Sequence, residues 1–355
     1  MKKNIKKWLT YLFVDNADHQ IWMISAVVLF LSFGLFAGYT YQPDFNRSVN
    51  TLLWGTQQVV EERESIFHLP VTVVYNSASE DQKMRMDQFL ENLTDPQQAL
   101  VSTELQPKWL DAKSPEAKTL IEQSGLKYLP QIFVDPSIEQ HPQFEAMKQY
   151  LAKNGNTYFI RLAPLEHLEV PTATTGYVDG ADPSKAKVVI QAYESYSCDH
   201  CAEANVTLKK IMAAYPSAVS VVYKHFEPGS VYSQIAQGAD CAADQQRFSA
   251  MQKQLFDGQG KMLEKLQAVT SEEEASTYVH SMLLGYAKKI GTNSKVFETC
   301  LNDKVHEKAI EAQTVEAVNY GVNGPPAFFI NKRYESGLLT YDEFKTIIDE
   351  ELKNK

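Results

Sequence analysis

Two cysteines separated by two residues, Cys198 and Cys201, form the pattern in this sequence best suited to covalent chemistry. They follow an apolar run, residues 188–193, that is typical of a buried strand, and they precede a segment with helical periodicity, residues 202–215. The first cysteine is therefore expected at a helix N-terminus, where unpaired backbone N–H groups and the helix dipole favour a thiolate. Because the thiolate is the nucleophile of disulfide exchange, the pattern predicts a reversible disulfide.

A zinc site is the alternative interpretation of such a cysteine pair. Zinc ribbons usually add a second Cys-x-x-Cys pair or a pair of histidines, whereas the other two cysteines here, Cys241 and Cys300, are far apart in the sequence. The eight histidines show no metal-ligand spacing. We therefore predict neither a metal nor a cofactor.

A second motif, residues 321–331, reads as a turn, a double proline and a strand. Its prolines are Pro325 and Pro326. A proline directly before a strand can be cis, and cis prolines are usually retained for a purpose. The alternative is an ordinary loop in which both prolines are trans.

Together, the two motifs resemble the active site and the cis-proline loop of the DsbA-like branch of the thioredoxin superfamily. Three further segments, residues 221–226, 241–248 and 297–301, resemble the family's next strand and two of its cysteine-containing helices. The resemblance covers about residues 175–353. It implies a thioredoxin fold with a helical insertion at about residues 233–320, and the activity of a thiol:disulfide oxidoreductase.

The resemblance also assigns roles to individual residues. Cys198 would be the attacking, partly exposed cysteine, and Cys201 the buried resolving cysteine. His200 would help to stabilise the Cys198 thiolate. Pro326 would be the cis proline that faces the disulfide, and it would bind substrate together with Pro325.

Three residues depart from the family pattern. Asp199 replaces a proline or an aromatic residue, and its negative charge opposes a neighbouring thiolate. Ala192 stands where many relatives carry a buried glutamate, and Pro325 has no N–H to offer a substrate peptide. The family segments further imply a structural disulfide between Cys241 and Cys300, which suits an oxidising compartment; two buried free thiols are the alternative.

The N-terminus carries a membrane signal. Four lysines within the first seven residues precede residues 20–43, which contain no charge. We predict a cytoplasmic segment over residues 1–20 and a single transmembrane helix over residues 21–41, which has the length of about 20 residues that a bilayer requires. The lysines favour a cytoplasmic N-terminus and an extracytoplasmic remainder. A cleaved signal peptide is the competing interpretation.

The rest of the chain divides into four parts. Residues 42–66 are predicted to form a polar stalk, residues 67–163 a first α/β domain, residues 164–187 a linker, and residues 188–355 the catalytic domain. The linker is rich in proline, glycine and threonine and lacks apolar periodicity.

The first domain, residues 67–163, alternates strands and helices, which predicts a layered α/β fold. It resembles a second thioredoxin fold in which Pro130 occupies the cis-proline position, and a generic α/β domain is the alternative. The place of the cysteine pair is taken by residues 76–79, Asn-Ser-Ala-Ser, so we expect no redox chemistry in this domain.

Charge and motifs together define the functional prediction. A net charge of −10 argues against nucleic-acid binding, which requires a basic face. We predict a membrane-anchored oxidoreductase of the cell envelope that donates disulfides to cysteine-containing secreted or membrane proteins and is reoxidised by a membrane redox partner. The alternatives are a disulfide isomerase or reductase, or a chaperone or scaffolding module with a static disulfide.

Overall fold

The computed structural model describes residues 66–94, 103–227 and 229–353. The predicted cytoplasmic segment 1–20, the transmembrane helix 21–41 and the stalk, except for residue 66, lie outside these ranges. Within them, no helix combines the length and the apolar character needed to cross a membrane. The described residues form two compact units, one made of those up to Ser124 together with Pro130–Ile160, and the other of Gly125–Leu129 together with those from Arg161 onward.

The first unit contains a five-stranded sheet in the order β2-β1-β4-β6-β5. The helix between β1 and β2 allows these two strands to run parallel, and the remaining pairs are antiparallel. Its elements, numbered along the chain, are β1 (Phe67–Tyr75), α1 (Glu80–Thr94), β2 (Thr103–Asp111), α2 (Pro115–Ser124), then β3 (Tyr128–Leu129) of the second unit, β4 (Gln131–Val134), α3 (Phe144–Met147) between two 3-10 turns (Pro136–Gln140 and Lys148–Tyr150), β5 (Leu151–Asn154) and β6 (Thr157–Ile160).

The order of this sheet differs from a thioredoxin fold at its end. After β4 the chain passes through α3 to the edge strand β5, and then returns as β6 between β5 and β4. Pro130 does not form a cis peptide, because in the described part of the chain the single cis bond joins Pro325 and Pro326. The expectation of a cis-proline at Pro130 is therefore wrong. The local sequence resembles a loop that leads into a single strand, but the residues before Pro130 pair in the two-stranded sheet and those after it in the five-stranded sheet.

The second unit contains a five-stranded sheet in the order β12-β11-β9-β10-β8. β9 and β10 are parallel, and β11 runs antiparallel to β9. Its elements are β7 (Glu166–His167), β8 (Tyr177–Gly180), β9 (Val188–Glu194), α4 (Asp199–Ala214), β10 (Val219–His225), α5 (Ser230–Ala243), α6 (Phe248–Ala268), α7 (Glu272–Lys289), α8 (Ser294–Asn302), α9 (Glu307–Asn319), β11 (Ala327–Ile330), β12 (Arg333–Ser336) and α10 (Tyr341–Lys353).

Part of the second unit comes from sequence assigned to other domains. β3 pairs with β7, and the backbone N–H of Lys127 donates to the carbonyl of Asn319 at 2.7 Å. Residues 164–187, predicted as a linker, contain β7 and β8, and β8 forms an edge of the main sheet beside β10. These strands are two and four residues long, too short for a recognisable apolar period, and they are fixed by partners distant in sequence.

The core of the second unit has two parts, one for each face of its sheet. Alternate β9 residues Val188, Ile190 and Ala192 join the cluster that packs against the helices, whereas Tyr193 joins a smaller cluster with Phe329. The helices α5 to α9 occupy the predicted insertion between β10 and β11. The sheet thus delivers the end of β9 and the start of β11 to the same region, which is the condition for the two sequence motifs to meet.

Candidate active site

The two cysteines lie at the junction of β9 and α4. Cys198 is the N-cap residue of α4, with extended backbone angles, and its Sγ accepts a hydrogen bond from the backbone N–H of Cys201 at 3.2 Å. A side-chain acceptor at this position satisfies one of the N–H groups that a helix leaves unpaired at its start. The helix terminus therefore supplies a donor directly to the sulfur.

The two sulfurs differ in burial and in acidity. Both are free thiols in the structure; Cys198 is half-buried, whereas Cys201 is completely buried. Hydrogen bonding from the Cys201 side chain, supported by backbone N–H groups, lowers the pKa of Cys198, although burial opposes this effect. Burial, with contributions from Cys198 and Glu194, raises the pKa of the Cys201 thiol. One thiol is thus suited to react as an accessible thiolate and the other to remain protonated.

The double proline lies against the cysteine pair. The peptide bond between Pro325 and Pro326 is cis, and the carbonyl oxygen of Pro325 accepts from Cys198 Sγ at 3.4 Å. The carbonyl of Pro326 accepts from the backbone N–H of Gly337 at 2.8 Å, which fixes the loop to the residue after β12. The structure therefore brings together the two motifs, which are more than a hundred residues apart in the sequence.

The two residues between the cysteines, Asp199 and His200, are both exposed. The negative charge of Asp199 opposes the lowering of the Cys198 pKa, and the backbone N–H of His200 supports it. In the structure, His200 thus helps to lower the Cys198 pKa through its backbone N–H, whereas the sequence analysis assigned this effect to its side chain.

Glu194 is a functional candidate that sequence reasoning missed. It is the last residue of β9, two residues after Ala192 and on the same face of the strand, and only 5 % of its surface is exposed. Burial raises the pKa of Glu194 well above its usual range, and the nearby Cys198 raises it further, while Lys209 opposes the shift. The sequence signal that could have identified it is a charged residue at the end of an otherwise uncharged strand, four residues before Cys198.

The other two cysteines lie in the helical insertion. Cys241 on α5 and Cys300 on α8 form a disulfide with a Cα–Cα distance of 5.9 Å. Both are buried, and they join two helices of the cluster that packs on the sheet. This pair is therefore placed as a link within the insertion.

Comparison with known proteins agrees with this geometry. Residues 174–350, about half of the chain, match a protein family described as Thioredoxin. This part of the chain belongs to the thioredoxin family. Its free thiol pair at a helix start, opposite a cis proline, is an arrangement suited to thiol–disulfide exchange.

Individual relatives each resemble about half of the chain or less. Over 159 residues the chain is 28% identical to a Na(+)/H(+) antiporter NhaA 3 of Salinispora tropica, and it spans only 22% of that protein's length. Three solved structures are the catalytic domain of Proteus mirabilis ScsC (22% identity, 51% of this chain and 91% of that chain, TM-score 0.40), a protein-disulfide isomerase of Novosphingobium aromaticivorans (19%, 50% and 96%, 0.41) and the thiol-disulfide exchange protein alpha-DsbA2 of Wolbachia pipientis (17%, 49% and 85%, 0.39).

Proposed function

We propose that this protein is a membrane-anchored thiol–disulfide oxidoreductase of the cell envelope that donates the Cys198–Cys201 disulfide to folding proteins. The observation that carries the proposal is the asymmetry of the two sulfurs. Cys198 Sγ is half-buried and receives the Cys201 N–H at 3.2 Å, whereas Cys201 is completely buried. A substrate thiolate can therefore reach one sulfur of the disulfide, and the other sulfur is the leaving group.

The reaction balances as two thiol–disulfide exchanges. A substrate thiolate attacks Cys198 Sγ of the oxidised protein, a mixed disulfide forms, and the Cys201 sulfur leaves as a thiolate and takes up a proton. A second substrate thiolate then attacks the substrate sulfur of the mixed disulfide and expels Cys198 as a thiolate, which the start of α4 stabilises. The substrate gains a disulfide, and the protein gains two electrons and holds them as the dithiol.

Glu194 is placed to handle the proton of Cys201. Its carboxyl interacts electrostatically with both cysteines, and burial raises its pKa, so that it holds a proton more readily than an exposed glutamate does. We assign to it the delivery of that proton when Cys201 leaves and its removal when Cys201 must attack. The position normally used for this purpose is Ala192, whose methyl group cannot transfer a proton.

The direction of electron flow and the location belong to the same proposal. The lowered pKa of Cys198 favours the reduced form, and a protein with a stabilised dithiol is an oxidant. The uncharged residues 20–43 and the lysines before them support a single anchor with the thioredoxin domain outside the cytoplasm. A membrane partner that accepts two electrons would regenerate the disulfide.

A trapping experiment tests the proposed function. The full chain carrying Cys201→Ser, activated as a mixed disulfide at Cys198, is offered a peptide with a single cysteine, which has no second thiol to resolve the product, and Cys198→Ser is the matched control. We expect a stable covalent complex through Cys198 for the first variant and none for the control. An equal yield of complex with both variants, or failure of the oxidised wild type to form a disulfide in a peptide with two cysteines, contradicts the proposal.

A further inference from the structure

A second buried carboxylate lies beneath the loop that leads into the active site. Glu227 follows β10, and only 5 % of its surface is exposed. Its Oε2 accepts from the hydroxyl of Ser195 at 2.8 Å, and its Oε1 accepts from the backbone N–H of Tyr196 at 3.2 Å. Two of the three residues between β9 and Cys198 therefore depend on one side chain for their position.

The contacts of Ser195 extend from Glu227 to the nucleophile. Ser195 Oγ is 2.7 Å from the hydroxyl of Ser197 and accepts the backbone N–H of Ser197 at 3.1 Å. The carbonyl of Ser195 accepts the backbone N–H of Cys198 at 3.2 Å. A continuous chain of hydrogen bonds thus runs from the buried carboxyl through two hydroxyl groups to the residue next to the reactive sulfur.

The charge of Glu227 is balanced by few groups. Burial raises its pKa to about 7, while the Ser195 hydroxyl and the charge of His225 oppose the shift. His225 itself pairs with Asp240 of α5 at 3.0 Å, so its charge is shared between two carboxylates. A further ionisable group in this region is the hydroxyl of Tyr196, whose pKa is raised by burial and further by the charges of Glu194 and Glu227.

We propose that Glu227 is a positioning residue for Cys198, and that through the hydroxyl groups of Ser195 and Ser197 its charge limits how strongly the Cys198 thiolate is stabilised. This inference rests on the proposed function, because it concerns the reactive state of the same sulfur. Ionisation of Glu227 would change the stability of the Cys198 thiolate with pH, an effect that neither the cysteine pair nor the cis proline produces.

The orientation of the hydroxyl protons of Ser195 and Ser197 depends on whether Glu227 is ionised. A carboxylate only accepts, so the Ser195 proton points to ionised Glu227, and the Ser197 proton can then point to Ser195. When Glu227 is neutral it can donate to Ser195, Ser195 can donate to Ser197, and the Ser197 proton is released towards the outside of the loop. Loss of the negative charge and release of this donor both favour the Cys198 thiolate.

The test is the pH dependence of Cys198 alkylation in the reduced full chain. For Glu227→Gln we expect the midpoint of the thiolate titration to fall by about half a pH unit, the size of one charge acting through partly solvated protein. We also expect the wild-type profile to show a second inflection near pH 7 that this variant lacks. Glu227→Asp, which keeps the charge, should restore both features.

Two further variants separate positioning from general destabilisation. Glu316→Gln makes the same chemical change at a carboxylate that accepts from Tyr193 on the other face of the sheet at 2.6 Å, and it should leave the profile unchanged. Ser197→Ala cuts the hydroxyl chain at its outer end and should weaken the inflection near pH 7, which keeps the proposal testable if Glu227→Gln does not fold. A reactive wild-type Cys198 with an identical profile in Glu227→Gln, or in Ser197→Ala, overturns the inference and leaves the proposed function intact. A wild-type Cys198 no more reactive than an ordinary thiol overturns both.

Discussion

Replacement of Asp199 by asparagine is expected to make the protein more oxidising. Asp199 is exposed, and besides burial its charge opposes the Cys198 thiolate. At a separation of about 6 Å and a dielectric constant of about 80, one charge contributes roughly 0.7 kcal/mol, which is about half a pKa unit. Because the thiolate exists only in the reduced form, the reduction potential should rise by about 15 mV.

The assay for Asp199→Asn is redox equilibration of the full chain with glutathione, followed by alkylation of the free thiols. Asp199 also stabilises the first turn of α4 through the helix dipole, but this effect is present in both redox forms and cancels in the potential. His200→Ala is the matched control, because it keeps the backbone N–H that acts on Cys198, and we expect a smaller change than for Asp199→Asn. An unchanged or more reducing potential for Asp199→Asn would refute the electrostatic reasoning.

Three other predictions follow from the buried groups of the thioredoxin domain. Glu194→Gln should slow the exchange steps that protonate or deprotonate Cys201 by about a hundredfold, as measured by quenched-flow alkylation, and an unchanged rate would remove Glu194 from the mechanism. The pKa of Glu227 rises from its ordinary value of 4.5 in the unfolded chain to about 7 on folding, so its contribution to the free energy of unfolding is complete below pH 4.5 and is lost as the pH rises through 7. Glu227→Gln should therefore remove about 3 kcal/mol of the pH dependence of this free energy, as measured by urea unfolding at both pH limits. Parallel stability curves for the variant and the wild type would contradict this prediction. Serine at both Cys241 and Cys300, which are 59 residues apart, should lower the free energy of unfolding by about 4 kcal/mol, and a loss below about 1 kcal/mol would show that the bridge does not restrain the unfolded chain.

The local parts of the catalytic site were predictable because each rests on a short sequence pattern. The strand before Cys198 and the helix after it follow from an apolar run and helical periodicity, the cis bond at Pro326 is what the family resemblance implies, and the structure has all three. The predicted thioredoxin assignment of this half is confirmed by the family match over residues 174–350.

The parts that could not be predicted depend on distant contacts. Glu227 becomes a functional candidate only when the end of β10 is seen beside the loop that follows β9, because its carboxyl contacts lie there. The position of Glu194 at a strand end can be seen in the sequence, but its burial is seen only in the structure. The pairing of β3 with β7 joins segments that are almost forty residues apart and have no common pattern. Gly321 is another position whose role depends on a distant contact. It has a positive φ and lies so close to Tyr128, almost two hundred positions earlier in the chain, that an added Cβ would crowd the Tyr128 ring.

Because β3 and β7 belong to the second unit, a truncated fragment of the thioredoxin domain must include them. The predicted linker implies that a fragment beginning near Pro171 retains the full catalytic unit. Gly125–Leu129 and residues 161–170 nevertheless belong to that unit, and His167 packs edge-on against Phe329 of β11 at 5.0 Å between ring centroids. A fragment that begins after them therefore removes part of the packing of the strand that follows the cis proline.

The most direct test of the central claim is the titration of the Cys198 thiolate. Thiolate absorbance of the reduced full chain is recorded against pH for the wild type, for Cys198→Ser and for Cys201→Ser. We predict a titration below the usual range of a thiol in the wild type and its complete loss in Cys198→Ser, because of the two thiols only Cys198 accepts a helix-start N–H group and has a lowered pKa. A low-pH titration that survives in Cys198→Ser would contradict the assignment of the nucleophile and with it the proposed function.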